Sequence, residues 1–122
     1  MATPAMLRHQ KRLDDIERAA RSEHGVSGVS PVVLAAARRL LESLYESRDP
    51  GLCALLDDVF ISLIYDAEIQ LEWSLDRRYA EVEVRSGGRY RCFSRGPAGD
   101  QNIETRSAPE AAGAIISGLL AR

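Results

Sequence analysis

Glu72 and Glu81 are the first residues in this chain whose placement suggests chemistry. Ile69, Leu71, Trp73 and Leu75 alternate with Gln70, Glu72 and Ser74, and Ala80, Val82 and Val84 alternate with Glu81, Glu83 and Arg85. A period of two marks strands with one buried face. If Asp76-Arg77 is a two-residue turn, Trp73 faces Ala80, Leu71 faces Val82 and Ile69 faces Val84, so the apolar set meets without conflict. The same register sets Glu72 opposite Glu81, a like-charge pair that destabilises a sheet unless a cation intervenes. Paired carboxylates could act as an acid/base couple or hold a metal. Both uses want a concave, water-excluding setting, which a flat sheet face lacks. The better reading is a solvated face neutralised by Arg85, Arg91 or Arg95 from the neighbouring strands.

The other reactive side chains are scattered. Cys92 could be a nucleophile, but no histidine is near it in sequence and no helix N-terminus is there to lower its pKa. It reads, like Cys53, as a small core residue. Cys53 and Cys92 form no C-x-x-C pair, and His9 and His24 are spaced too widely for one helix face to chelate a metal, so both histidines read as solvated surface. There is no phosphate-cradling loop with a following lysine, no G-x-S-x-G and no H-E-x-x-H. No cofactor and no metal are expected, and a thiol or carboxylate enzyme is only the third reading of function.

Fifteen of the sixteen basic side chains are Arg, and eighteen acidic residues leave a net charge of −2. A general phosphate-binding surface is disfavoured by that balance. Arg77, Arg78, Arg85, Arg89, Arg91 and Arg95 are nevertheless interleaved with Tyr79, Tyr90 and Phe93, the stacking and charge pattern of a nucleic-acid surface. Glu81 and Glu83 fall inside the same stretch and cut against it, which makes nucleic acid the second reading.

These residues need elements to position them. The 122 residues suit one domain with a core that needs no disulfide or metal, and 45% apolar with 28% charged residues is an ordinary globular composition. Thr3-Pro4 starts a helix to about Arg21, with a thin stripe of Met6, Leu13, Ile16 and Ala20 that suggests weak packing or a surface kept for a partner. Gly25 to Val29 is a connection. Ser30-Pro31 caps a second helix to about Ser47, whose broad stripe holds Val33, Ala37, Leu40, Leu41, Leu44 and Tyr45. Arg48-Asp49-Pro50-Gly51 stops it, and Leu52–Leu56 is a candidate for one more helical turn. Val59–Ile64 and Tyr90–Arg95 complete a four-stranded meander, since connections as short as Asp66-Ala67, Asp76-Arg77 and Gly87-Gly88 permit only antiparallel neighbours. Gly96 to Arg106 reads as a loop. Ser107-Ala108-Pro109-Glu110 is a capping box that starts a last helix, in which Gly113 and Gly118 allow close approach to the sheet.

The strand Ile69-Gln70-Leu71-Glu72-Trp73, followed by Ala80-Glu81-Val82-Glu83-Val84 and a glycine turn, resembles a set of small bacterial proteins with an Ile-x-Leu-Glu-Trp hairpin. The likeness spans about residues 59–93 and departs from the set at Ala67-Glu68, where a Gly-Gly is usual. It implies the meander and a bacterial or phage origin, and no activity. The order of helix, meander and helix is similar to the RWD and ubiquitin-conjugating topology, a likeness that carries no function.

The expected fold is α+β: two N-terminal helices, a four-stranded antiparallel meander, and a C-terminal helix packed on the sheet. Ile69, Leu71, Trp73, Val82, Val84, Leu40, Leu44 and Ile115 should be core. The turn at Gly87-Gly88 admits two registers. The longer loop keeps Arg89, Arg91 and Arg95 out of the core, turns Tyr90 and Cys92 inward, and sets Val84 against Cys92 and Arg95 opposite Glu81. Strand four is then an edge blunted by arginine. The leading function is a non-enzymatic protein-binding module of accessory, immunity, antitoxin or anti-defence type. It would dock a protein partner or a second copy through Arg89, Arg91, Arg95, Glu72, Glu81 and Glu83, with Arg8 and Arg12 of the first helix as a second contact. With no apolar leader and no run approaching eighteen apolar residues, a cytoplasmic chain with free thiols and no membrane partner is expected.

Overall fold

A proline stands at the first position of each of the first three helices, α1 (Pro4–His24), α2 (Pro31–Leu44) and α3 (Pro50–Leu56). The missing N–H of proline costs nothing there, and its fixed φ suits a helix start. Ser30 Oγ accepts from the Val32 N–H at 3.1 Å, and Asp49 Oδ2 accepts from the Leu52 N–H at 2.9 Å. The stop at Arg48–Gly51 is therefore also a start: Arg48 turns the chain at φ 57° and Asp49 caps α3. The computed structural model describes residues 4–24, 29–65, 67–97 and 99–120. Thr3, the connection at 25–28 and Asp66 lie outside them, as do the side chains of Ala20 and His24.

Five strands follow, one more than expected: β1 (Phe60–Ile64), β2 (Glu68–Leu75), β3 (Arg78–Arg85), β4 (Arg89–Gly96) and β5 (Gly99–Thr105). They form one antiparallel sheet in the order β1-β2-β3-β4-β5, and α4 (Ala108–Leu120) ends the described chain. β5 replaces the expected loop. Gly96 pairs with Gly99 across a tight turn, and the strand runs back along β4 to Thr105. Asp100, Gln101, Asn102 and Glu104 are all exposed, and Ile103 is the one aliphatic side chain of the strand that packs on the core. Such a strand is made by backbone pairing and carries almost no hydrophobic alternation. β4 is consequently interior to the sheet, and its arginines do not blunt an edge.

The β2–β3 register is the expected one, with Trp73 facing Ala80, Leu71 facing Val82 and Ile69 facing Val84. At the next turn Tyr90 and Cys92 do point inward, but the register differs: Val84 faces Tyr90, Val82 faces Cys92, and Arg95 faces Tyr79 rather than Glu81. The loop is the three residues Ser86–Gly88, with Gly87 and Gly88 at φ 80° and 76°. Left-handed backbone at two successive positions is accessible to glycine at no steric cost. Gly88 also lies so close to α2 that a Cβ there would sit 3.3 Å from Val32 Cγ1.

The eight expected core residues are each at most 1% exposed. The two largest core side chains satisfy their polar tips on the helical layer: Trp73 Nε1–H donates to the Leu56 carbonyl at 3.1 Å and the Tyr90 hydroxyl to the Ala36 carbonyl at 2.7 Å. α4 packs on β3 and β4, where a Cβ on Gly118 would lie 2.7 Å from Ser94 Cβ; Gly113 meets nothing and faces solvent. Ser107 Oγ caps α4 by accepting from the Glu110 N–H at 3.2 Å, while Ser107's own N–H is taken by Thr105 Oγ1 at 3.0 Å. α1, despite its thin stripe, buries Leu13 and Ile16 and packs on α2 and β1.

Candidate functional site

Ile61, Ile69, Leu71, Trp73, Ala80, Val82, Val84, Tyr90 and Cys92 share the inner face of the sheet, against the helices. Alternation sends the intervening residues to the other face, which the four helices leave uncovered. Cross-strand pairing arranges that outer face in rows. Phe60, Glu72, Glu81, Phe93 and Asn102 form one row from β1 to β5. Ser62, Gln70, Glu83, Arg91 and Glu104 form the next, and Ser74, Tyr79, Arg95 and Asp100 another.

All six residues expected on the sheet, Glu72, Glu81, Glu83, Arg89, Arg91 and Arg95, lie on this face. Their pairing was not foreseen. Arg91 Nη1 bonds Glu83 Oε1 at 3.3 Å, and Glu83 is 8% exposed. Arg95 Nε bonds Asp100 of β5 at 3.0 Å and its guanidinium lies 5.5 Å from the Phe93 ring centroid. Arg85 Nε stands 3.8 Å from Glu68 Oε1. Among the described residues no arginine comes within ion-pair distance of Glu72 or Glu81, contrary to the expected neutralisation. Their neighbour is Tyr79, whose hydroxyl donates to Glu72 Oε2 at 2.6 Å, while Gln70 Nε2 donates to the same oxygen at 3.3 Å. Burial, then the charges of Glu83 and Glu72, push the Glu81 carboxyl above the usual carboxylate range, with Tyr79 and Arg91 opposing. Burial and the bond to Glu72 push the Tyr79 phenol up as well.

No protein-family model matches this chain, nor does any curated protein or solved structure.

Arg8 and Arg12 are not part of the sheet face. Both are exposed on α1, and Arg12 Nε reaches the carbonyl of Ile61 on edge strand β1 at 3.3 Å. His9, expected at the surface, is instead buried. Its Nε2 lies 3.0 Å from the Tyr45 hydroxyl, which donates to Asp57 Oδ1 at 2.8 Å. The single phenolic proton goes to Asp57, so His9 is the donor to Tyr45. The chain of bonds ties α1 to α2 and to the C-terminal end of α3. Burial holds the His9 pKa below its ordinary value, against the pull of Asp57. Cys53 lies near this network, its thiol pushed up by burial and by Asp57 and Asp49. Cys92 is 3% exposed and burial raises its thiol to about 12. Among the described residues no group of three or more His, Cys, Asp or Glu could hold a metal, and no helix is long and apolar enough to cross a membrane.

Sequence reasoning overlooked Phe60, 59% exposed beside Glu72 on the outer face. Its signal was available: Ile61 is its inward neighbour, so a period of two puts Phe60 outside.

Proposed function

We propose that this chain is a protein-binding module that acts by docking rather than catalysis, with the outer face of the sheet as its main contact surface. The observation that carries the reading is the sheet's second face, which no described helix covers and where exposed Phe60 and half-buried Tyr79 and Phe93 lie among charges of both signs. Mixed charge suits a protein partner, because each sign needs its complement and the pattern sets register. Aromatic and arginine side chains are also the common anchors of interfaces. A hollow of about 10 Å³ beside Cys92, Ser94 and Ile115 has room for no more than about one water. That is far below the several hundred Å³ of a small-molecule site.

A polyanion is the weaker partner for this face. Arg91 and Arg95 are engaged by Glu83 and Asp100, and Tyr90 is in the core, out of reach of a base. Arg8 on α1 gives a second contact beyond the sheet. The accessory, immunity, antitoxin or anti-defence setting goes with the bacterial or phage origin that the resemblance implies, small proteins of such origin being commonly of these kinds.

The test is site-specific photocrosslinking in the native host. A photoreactive phenylalanine analogue at position 60 should capture one protein identified by mass spectrometry, and the same analogue at Glu42, exposed on α2, should not. Capture only from position 42 places docking on the helical layer and overturns the reading.

A further inference from the structure

Of the four glutamates on the outer face of β2 and β3, two have cations: Glu83 has Arg91 and Glu68 has Arg85. The other two, Glu72 and Glu81, stand directly opposite each other in the middle of the sheet with no ion-pair partner among the described residues, Arg91 acting on Glu81 only from beyond ion-pair distance. Opposed like charges destabilise a sheet. The phenol of Tyr79 supplies a hydrogen bond but no positive charge. Phe60 continues the row on the side of Glu72 and Phe93 on the side of Glu81. Neighbouring strands are about 4.8 Å apart, so the backbone positions of the two phenylalanines flank the carboxylates across about 14 Å of the row.

We infer that this row receives a basic segment of a partner protein, with an arginine side chain bridging Glu72 and Glu81 and stacking on Phe60. The inference rests on the docking reading above and gives the partner its chemistry. Charge complementarity decides the occupant. A planar guanidinium can donate to two adjacent carboxylates at once, and it is weakly hydrated enough to sit against an aromatic ring. A lysine ammonium meets the charge but not the fork or the stack. Among the described arginines on this face of β3 and β4, Arg91 and Arg95 already have carboxylates and Arg85 lies beside Glu68, which leaves an acidic segment Arg89. Burial, then the charges of Glu83 and Glu72, raise the Glu81 pKa, and a cation placed beside the carboxylate would act against that rise. The surface thus carries a standing electrostatic cost in the free protein that a cationic partner removes.

The experiment titrates the isotopically labelled full chain with three acetylated, amidated heptapeptides. They are Ser-Leu-Arg-Ser-Leu-Arg-Ser and its versions with lysine or glutamate in place of arginine. The arginine peptide should shift the backbone resonances of residues 60, 72, 81 and 93. It should bind at least threefold tighter than the lysine peptide, and lower the titration midpoint of the Glu81 carboxyl. Glu72→Gln with Glu81→Gln should weaken binding at least tenfold without lowering the melting temperature, since the change removes repulsion. Phe60→Ser, at an exposed site, should weaken it severalfold. If the double variant binds the arginine peptide as the wild type does, or no resonance of the row moves, the inference is overturned. Tighter binding of the glutamate peptide also overturns it while leaving the face a docking surface. Failure of the crosslink at position 60 is the separate sign that docking itself is misplaced.

Discussion

His9 Nε2 lies 3.0 Å from the hydroxyl of Tyr45, 36 residues further along the chain. Burial holds the imidazole below its ordinary value of 6.5, with Arg8 reinforcing and Asp57 opposing. Between the folded and unfolded pKa values the unfolded chain binds more protons, so stability rises with pH across that window. The contribution is complete above about pH 6.5 and is lost as pH falls towards the folded value. Melting temperatures measured from pH 7.5 to 5.5 should fall more steeply for the wild type than for His9→Gln. At pH 7.5 the variant should be less stable by about 1 kcal/mol, the worth of one buried hydrogen bond. Parallel curves would show that His9 has no part in the acid response.

The two glycines of α4 should respond in opposite directions. A methyl at Gly118 would press on Ser94 Cβ at 2.7 Å, so Gly118→Ala should cost about 1–3 kcal/mol in urea unfolding. Gly113 has nothing within 4 Å, and Gly113→Ala should add about 0.5–1 kcal/mol by restricting the unfolded chain. A stabilising Gly118→Ala would mean that α4 does not approach the sheet this closely.

Charge reversal should separate two arginines of the same strand. Arg91→Glu sets a carboxylate against Glu83, whose side chain is 10% exposed, and should lower the melting temperature by several degrees. Arg95→Glu breaks a pair in which both partners are more than half exposed, and should leave it nearly unchanged. Thermal melts at low ionic strength read both. Equal effects would place Glu83 in water.

Cys53 and Cys92 should label at different rates in the native protein. Cys92 is buried with its thiol pushed up to about 12, so at pH 8 alkylation requires unfolding. Cys53, part-exposed on α3, should react first though more slowly than a free thiol. Peptide mapping after a timed iodoacetamide pulse gives the order, and equal rates refute it.

The inner face was legible because its information is local. Trp73, Leu71 and Ile69 opposite Ala80, Val82 and Val84 follow from a period of two and a two-residue turn, and the structure has that register. The same logic placed Glu72 opposite Glu81. It failed at the next hairpin, where glycine permits more than one loop. The side-chain pattern there says which residues turn inward but not which partner each meets. It failed wholly at β5, whose exposed polar side chains give no alternation to read.

Sequence alone determined the starts of α1, α2 and α4, the inward set of β2, β3 and β4, and the line of glutamates and arginines on the opposite face. Those follow from caps, turns and periodicity within a few residues of one another. Only the tertiary structure decided that Gly99–Thr105 pairs with β4, that His9 is buried against Tyr45, and that Arg91 and Arg95 serve Glu83 and Asp100 while Glu72 and Glu81 have no ion-pair partner among the described residues. The physical reason is shared. A backbone ladder, a desolvated histidine and an ion pair each take their free energy from groups on other elements, whose distance is set when the layers pack.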